Sequence, residues 1–284
     1  MNITSPVLRY HGGKFRLAPW VMQFFPAHTC YVEPFGGAAG VLIQKPRSYA
    51  EVYNDLDGDV ANLFQVLRNP AQRAELIDQI QLTPYSRDEF TAAWLPSVDP
   101  VERARRLVIR AQMGFGSAGA TKGSTGFRID TRRSYGTAQH LWARYPEQLA
   151  LVGERLAGVL IENRSAVDVI RGQDRPETLF YVDPPYVLGT RVRAHLTGRC
   201  YRHEMSDQDH VQLLSTLRSC AGMVVVSGYW SALYDEALSD WERHETDARI
   251  SAGRGTALRR EVVWLNKACS NGLREVGLFA GVPA

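Results

Sequence analysis

Short β-prone runs recur along this chain, and several are followed by segments with helical spacing; that alternation constrains the fold more than any other feature. The first run, CYVEPF, is broken by GGAAG and followed by VLIQK, which reads as a helix resuming. A second run, SYAEVYND, leads into LDGDVANLFQVLRN, where Val60, Leu63, Phe64 and Leu67 recur at helical spacing. GVLIENRSAVDVI, ETLFYVDPPY and GMVVVSGYW supply three more β-rich runs, and SDQDHVQLLSTLRSC between the last two reads as a Ser-capped helix. Strands alternating with helices predict an α/β chain: a Rossmann-like, mostly parallel sheet with helices on both faces. REVVWLNK near the end reads as a late antiparallel strand.

Residues 70–160 interrupt this pattern and are expected to form a helical or hairpin insertion, leaving 1–69 and 161–284 as the sheet domain. Within the insertion, GFGSAGATKGSTGFRIDTRRSYG has a composition suited to an exposed loop or hairpin rather than a core. The formal charge of +3 is unevenly spread: residues 101–160 hold ten Lys and Arg against four Asp and Glu. Such a local surplus suits a polyanion such as nucleic acid, although solvated helix faces produce smaller surpluses. At 45% hydrophobic and 22% charged, the chain has enough apolar residues for a large globular core. It shows no long apolar span and no signal-peptide pattern, so a soluble cytoplasmic protein without membrane association is expected. Cys30, Cys200, Cys220 and Cys269 lack metal-type pairing, so free thiols and no metal site are expected.

Two motifs carry chemistry. In Phe35-Gly36-Gly37-Ala38-Ala39-Gly40, small residues let a ligand approach the backbone, and free N–H groups at the start of a helix would face it. Asp55, ending the next strand, is placed to accept ribose hydroxyls, so the pair implies a nucleoside-containing cofactor. The glycines do not match G-x-G-x-x-G, and tight packing is the other reading of such a turn. In Asp183-Pro184-Pro185-Tyr186, the prolines fix the Asp183 carboxylate and the Pro184 carbonyl in one relative geometry at a strand end. Two acceptors then face one spot. Accepting both hydrogens of an exocyclic amine favours the pyramidal nitrogen needed for attack, and Tyr186 offers a face on which a base can stack. An ordinary strand-ending turn is the alternative.

YHGGK (Tyr10 to Lys14), VEPFGGAAG, YND, DPPY, SGY and VVWLN, taken in this order and spacing, resemble the Dam-like DNA adenine-N6 methyltransferases of the α order. The resemblance implies S-adenosylmethionine as methyl donor. Tyr10, Gly12, Gly13, Lys14, Glu33, Pro34, Phe35, Gly36 and Gly37 would line its pocket, with Asp55 on the ribose, Asp168 at the adenine amine and Asp183 beside the reacting centre. It further implies double-stranded DNA as partner, direct transfer to adenine N6, and a target base flipped out of the duplex. Lys122, Arg132, Arg133, Arg191 and Arg193 would contact phosphates, and Arg128 would read guanine. Arg199 and Arg202 extend that basic run. Members that read GATC carry an Arg-Tyr-Asn element followed by Asn-Val-Pro, where this chain has FRIDTRRSYG, so the target sequence stays open. Cytosine N4, RNA adenine or a protein amide as acceptor, a non-catalytic DNA-binding protein of the same fold, and a nicotinamide enzyme are the rival readings. The oligomeric state is left open, a monomer included.

Overall fold

The computed structural model describes residues 3–117, 119–120, 125–129, 136–187, 189, 201–252 and 255–279. Its strands are β1 Cys30–Glu33, β2 Ala50–Asn54, β3 Leu160–Glu162, β4 Thr178–Val182, β5 Met223–Tyr229, β6 Glu242–Ala252 and β7 Gly255–Leu265. They form a single seven-stranded sheet in the order β3-β2-β1-β4-β5-β7-β6. β1 to β5 are parallel, β7 is antiparallel to β5, and β6 closes the edge against β7. The chain thus builds outward from β1 to β3, returns, and builds the other way from β4. The carboxyl ends of β1 and β4 are therefore a switch point, where such sheets open a crevice.

Side chains alternate across the sheet as a period of two requires. Tyr31, Tyr53, Tyr181, Val225 and Val263 enter one core, while Val32, Val52, Phe180, Val226 and Trp264 enter the other. Both faces are covered, which explains why the strands read as nearly continuous apolar runs. Two segments depart from expectation. VLIQK makes turns instead of a helix: Ile43 N donates to Ala39 O at 3.1 Å, but Leu42 N is diverted to the Glu33 carboxylate and Pro46 prevents continuation. GVLIENRSAVDVI gives only the three-residue β3, after which Ala166–Gln173 is helical, with Val169 and Ile170 buried.

The helices of the expected insertion, Pro70–Leu82, Arg87–Ala92, Pro100–Met113, Ala138–Ala143 and Tyr145–Arg155, do not carry a separate core. Leu76, Ile80, Leu107 and Leu149 pack into the same cluster as Tyr31, Tyr53 and Leu63. At 69/70 there is a corner, not a linker: Asn69 ends helix Gly58–Arg68 and caps the next, accepting from Ala71 N at 3.0 Å and Gln72 N at 3.2 Å. At least five of the ten cations in 101–160 are spent on ion pairs within the protein: Arg103 and Arg110 on Asp59, Arg105 and Arg106 on Glu102, and Arg155 on Glu51. Cys30, Cys220 and Cys269 are free thiols, and Cys200 lies outside the described residues. Among the described residues no helix is long and apolar enough to cross a membrane.

Candidate active site

At the switch point lies a cavity of about 300 Å³. Its walls come from the ends of β1, β2 and β4, from the start of helix Ala166–Gln173, from residues between 201 and 213, and from the segment preceding β1, which turns at Gly12 with φ of 74°. A Cβ at Gly12 would stand 2.6 Å from the Tyr201 hydroxyl, so glycine there serves both the left-handed turn and a close approach. The loop after β1 is drawn against β2: Gly36 N donates to Asn54 O at 2.7 Å, Tyr53 OH donates to Gly37 O at 2.6 Å, and a Cβ at Gly36 would overlap the Tyr53 ring. Gly37 N donates to Asp55 at 2.8 Å and Ala39 N to Gly36 O at 2.7 Å. These loop amides, expected to face a ligand, are thus satisfied by the protein. The glycines contribute room, and the carboxylates contribute the polarity.

Those carboxylates are held at a cost. Glu33 is 2% exposed; burial pushes its pKa up to about 7, although Tyr31 OH and Leu42 N both donate to it. Burial likewise pushes Asp55 up to about 6, against hydrogen bonds from Asp57 N and Gly37 N. Asp183, directly after β4, accepts from Lys14 Nζ at 2.8 and 2.9 Å and from Ser227 Oγ at 3.0 Å. The same ammonium donates to Gly12 O at 3.1 Å and to the Tyr186 hydroxyl, and it lies 3.4 Å from Glu261 Oε1. Tyr186 OH in turn donates to Glu261 at 2.7 Å, and its ring packs against Tyr229 at 4.3 Å. Burial raises the pKa of Asp183 and of Glu261, opposed by Lys14. Burial works against the Lys14 ammonium, yet the two carboxylates hold its pKa above the ordinary value. All three shift upward, the carboxylates by burial and the lysine by the two carboxylates, so the cluster favours taking up a proton.

Every residue expected at the cofactor lines this cavity except Asp168. Asp168 is exposed in the first turn of helix Ala166–Gln173, while Ser165, Ala166 and Val167 reach the cavity in its place. Asp168 lies past the cavity wall because the strand ends at Glu162 and a helix has begun by Ala166. Pro185 lines the cavity beside Asp183, and Pro184 is buried behind it. Arg128 is 5% exposed, and its backbone is pinned by Met113 O at 2.7 Å and by Tyr85 OH at 2.6 Å. Lys122, Arg132, Arg133, Arg191, Arg193 and Arg199 lie outside the described residues. Arg202 is engaged at 3.0 Å with both Asp57 and Asp59. The sequence reading did not single out Glu261 or Ser227 as site residues; the signal was a lone polar residue inside each of two buried strands, REVVWL and VVVSGY. It also passed over Tyr201, His203, Glu204 and Met205, which line the cavity together with Arg202.

A cavity at the switch point of a mostly parallel sheet, with an Asp-Pro-Pro-Tyr carboxylate on its wall, is the ligand crevice of a Rossmann-like fold. The model of the D12 class N6 adenine-specific DNA methyltransferase family matches residues 10–252, and the chain belongs to that family. The DNA adenine methylase of Salmonella typhi is 22% identical over 275 residues, covering 92% of this chain and 94% of that protein. Those of Haemophilus influenzae and Serratia marcescens match shorter stretches, at 34% over 64 residues (22% of each chain) and 29% over 68 residues (24% of this chain, 25% of that one). The chain is accordingly an adenine-specific DNA methyltransferase, and the cytosine, RNA, protein-amide, nicotinamide and non-catalytic readings fall away.

Proposed function

We propose that this enzyme takes its methyl group from S-adenosylmethionine and places it on N6 of an adenine flipped out of double-stranded DNA. The observation that carries the reading is the position of Asp183 on the wall of the donor cavity, with the Tyr186 ring linked to it through Lys14. The cavity fits the cofactor in size and charge. Its volume of about 300 Å³ is at the lower end for a ligand of that class. Six acids line it, Glu33, Asp55, Asp57, Asp183, Glu204 and Asp209, against Lys14 and Arg202, which suits a molecule bearing an ammonium and a sulfonium. When bound, S-adenosylmethionine supplies a methyl group that an amine lone pair can take directly as the carbon–sulfur bond breaks towards sulfur.

The chain's own residues position and stabilise. Asp55 keeps outward lone pairs for ribose hydroxyls, since each of its oxygens accepts only one hydrogen bond among the described residues. Asp183 and the Pro184 carbonyl accept the hydrogens of the target amine, stabilising the positive charge that develops on nitrogen. Lys14 and Ser227 keep Asp183 an acceptor against the pull of burial. Tyr186 stacks on the base and recovers part of the cost of unstacking it from the duplex. Lys122, Arg132, Arg133, Arg191 and Arg193 bind phosphates, and Arg128 reads a base by turning outward from its buried position.

The test exposes a methylation-free plasmid library to purified protein and S-adenosylmethionine, with Asp183→Ala alongside, and maps modified bases by long-read sequencing. N6-methyladenine at one recurring sequence is expected from the wild type and none from Asp183→Ala, which still binds the cofactor within about threefold, about 0.65 kcal/mol. Methylation surviving in Asp183→Ala, or loss of cofactor binding in step with transfer, would overturn the division of roles.

A further inference from the structure

In this structure both oxygens of Asp183 accept from the Lys14 ammonium, and Oδ1 accepts from Ser227 as well. An incoming amine therefore competes with Lys14 for the carboxylate. The lysine is buried, so it cannot withdraw into water, and a buried cation left without a partner is costly by several kcal/mol. It needs a second carboxylate within reach. Glu261 is that group. It stands on β7 opposite Tyr229 of β5, on the sheet face that also carries Ser227 and Tyr181, and it is 2% exposed. Its partners among the described residues are Tyr186 at 2.7 Å and Lys14 at 3.4 Å, both of them residues of the site.

We propose that Glu261 is a positioning residue for methyl transfer: it receives the Lys14 ammonium as the target amine takes over Asp183, and it holds the Tyr186 hydroxyl while that exchange occurs. The ion pair with Glu261 is longer than the one with Asp183 here, as expected before the amine arrives. A small turn of the lysine's terminal torsion closes the gap without leaving the hydroxyl of Tyr186, which both groups share. The net charge of the cluster stays constant through the exchange, so no step requires a buried charge to appear or vanish. The inference rests on the reading of Asp183 as acceptor of the amine hydrogens.

The decisive measurement is the single-turnover methylation rate of Glu261→Gln, which keeps shape and removes charge, alone and combined with Lys14→Met. The single variant is expected to slow transfer up to about 100-fold, the scale of a misplaced reacting group, while S-adenosylmethionine affinity holds within about twofold. The loss falls on the transfer rate and spares cofactor affinity, a split that a merely structural role would not give. In the Lys14→Met background the same substitution adds no further loss, since it acts through that lysine. A wild-type rate, parallel loss of cofactor affinity, or an additive loss with Lys14→Met would each overturn the proposal. If Glu261→Gln fails to fold, Glu261→Asp decides: a rate above that of Lys14→Met supports a charge role, and an equal or lower rate overturns it. Asp183→Asn separates the two levels: activity in that variant sinks the functional reading itself, whereas an inactive Asp183→Asn with fully active Glu261→Gln sinks only the role of Glu261.

Discussion

In the helical layer, Arg105 meets Glu102 and Glu89 at 2.6 and 2.9 Å, Arg106 meets Glu102 at 2.6 Å, and Arg103 and Arg110 meet Asp59 at 2.9 and 3.2 Å. At the crevice one ammonium is divided between Asp183 and Glu261, and Glu33 and Asp55 form no ion pair among the described residues. The first arrangement neutralises charge so that helices can pack. The second leaves negative charge in excess and out of water, which destabilises the empty fold and is offset when a cationic ligand enters. The contrast separates charges that build the molecule from charges that work in it.

The largest effect expected from breaking this contrast is at Glu33. A carboxyl that binds its proton more tightly folded than unfolded costs stability as pH rises from its ordinary 4.5 through the folded value of about 7, and costs little below that window. Glu33→Gln keeps an oxygen for Tyr31 OH and Leu42 N, so it removes the cost and spares the hydrogen bonds. Ligand-free Glu33→Gln should be more stable than wild type by at most about 3 kcal/mol at pH 8, shrinking to under about 1 kcal/mol at pH 5. Urea unfolding at the two pH values measures this. The same difference between variant and wild type at both pH values would mean that the fold does not raise the Glu33 pKa. The same variant should bind S-adenosylmethionine roughly tenfold more weakly, about 1.4 kcal/mol, by losing a charge that faces a cation.

Arg105 tests the other side of the comparison. Its side chain is 16% exposed and serves Glu102, Glu89 and Thr83 at once. Arg105→Met leaves Glu89 without its cation and Glu102 with Arg106 alone, and should lower stability by about 2 kcal/mol, between the values for surface and buried pairs. The methylation rate at a temperature where the variant is folded should be unchanged. A rate defect in folded Arg105→Met would place this layer in the catalytic machinery and erase the distinction.

How much of this was legible in the sequence follows from how local each signal is. The loop after β1 and the Asp-Pro-Pro-Tyr end of β4 announce themselves through glycine and proline, whose backbone requirements need no knowledge of the fold. Glu261 was illegible because its role depends on register: only the pairing of Tyr229 with Glu261 brings it beside Tyr186 and Lys14, over seventy positions away in the first case. The internal ion pairs within the basic surplus of 101–160 were illegible for the same reason. Counting charges along the chain cannot see that Arg103 answers Asp59 and Arg155 answers Glu51, acids contributed by other elements. Asp168 shows a third kind of limit: the sequence marks the strand end, but not that a helix starting at Ala166 carries Asp168 off the cavity wall.

The smallest effect is also the sharpest test of what remains of the surplus. Cations already matched by carboxylates have nothing to offer a phosphate, since leaving their partner would cost what binding returns. Arg106, held by Glu102 and by the carbonyls of Leu95 and Pro96, is such a residue. Arg132 falls in the segment assigned to DNA on sequence grounds. Each phosphate neutralised adds roughly 0.9 to the slope of log affinity against log salt for duplex DNA. Arg132→Ala should therefore reduce that slope by about one unit and weaken all sequences alike, whereas Arg106→Ala should leave the slope where it was. Titrations of a fluorescent duplex at several salt concentrations decide the matter: equal slopes for the two variants would mean that internal pairing does not determine which cations reach the DNA.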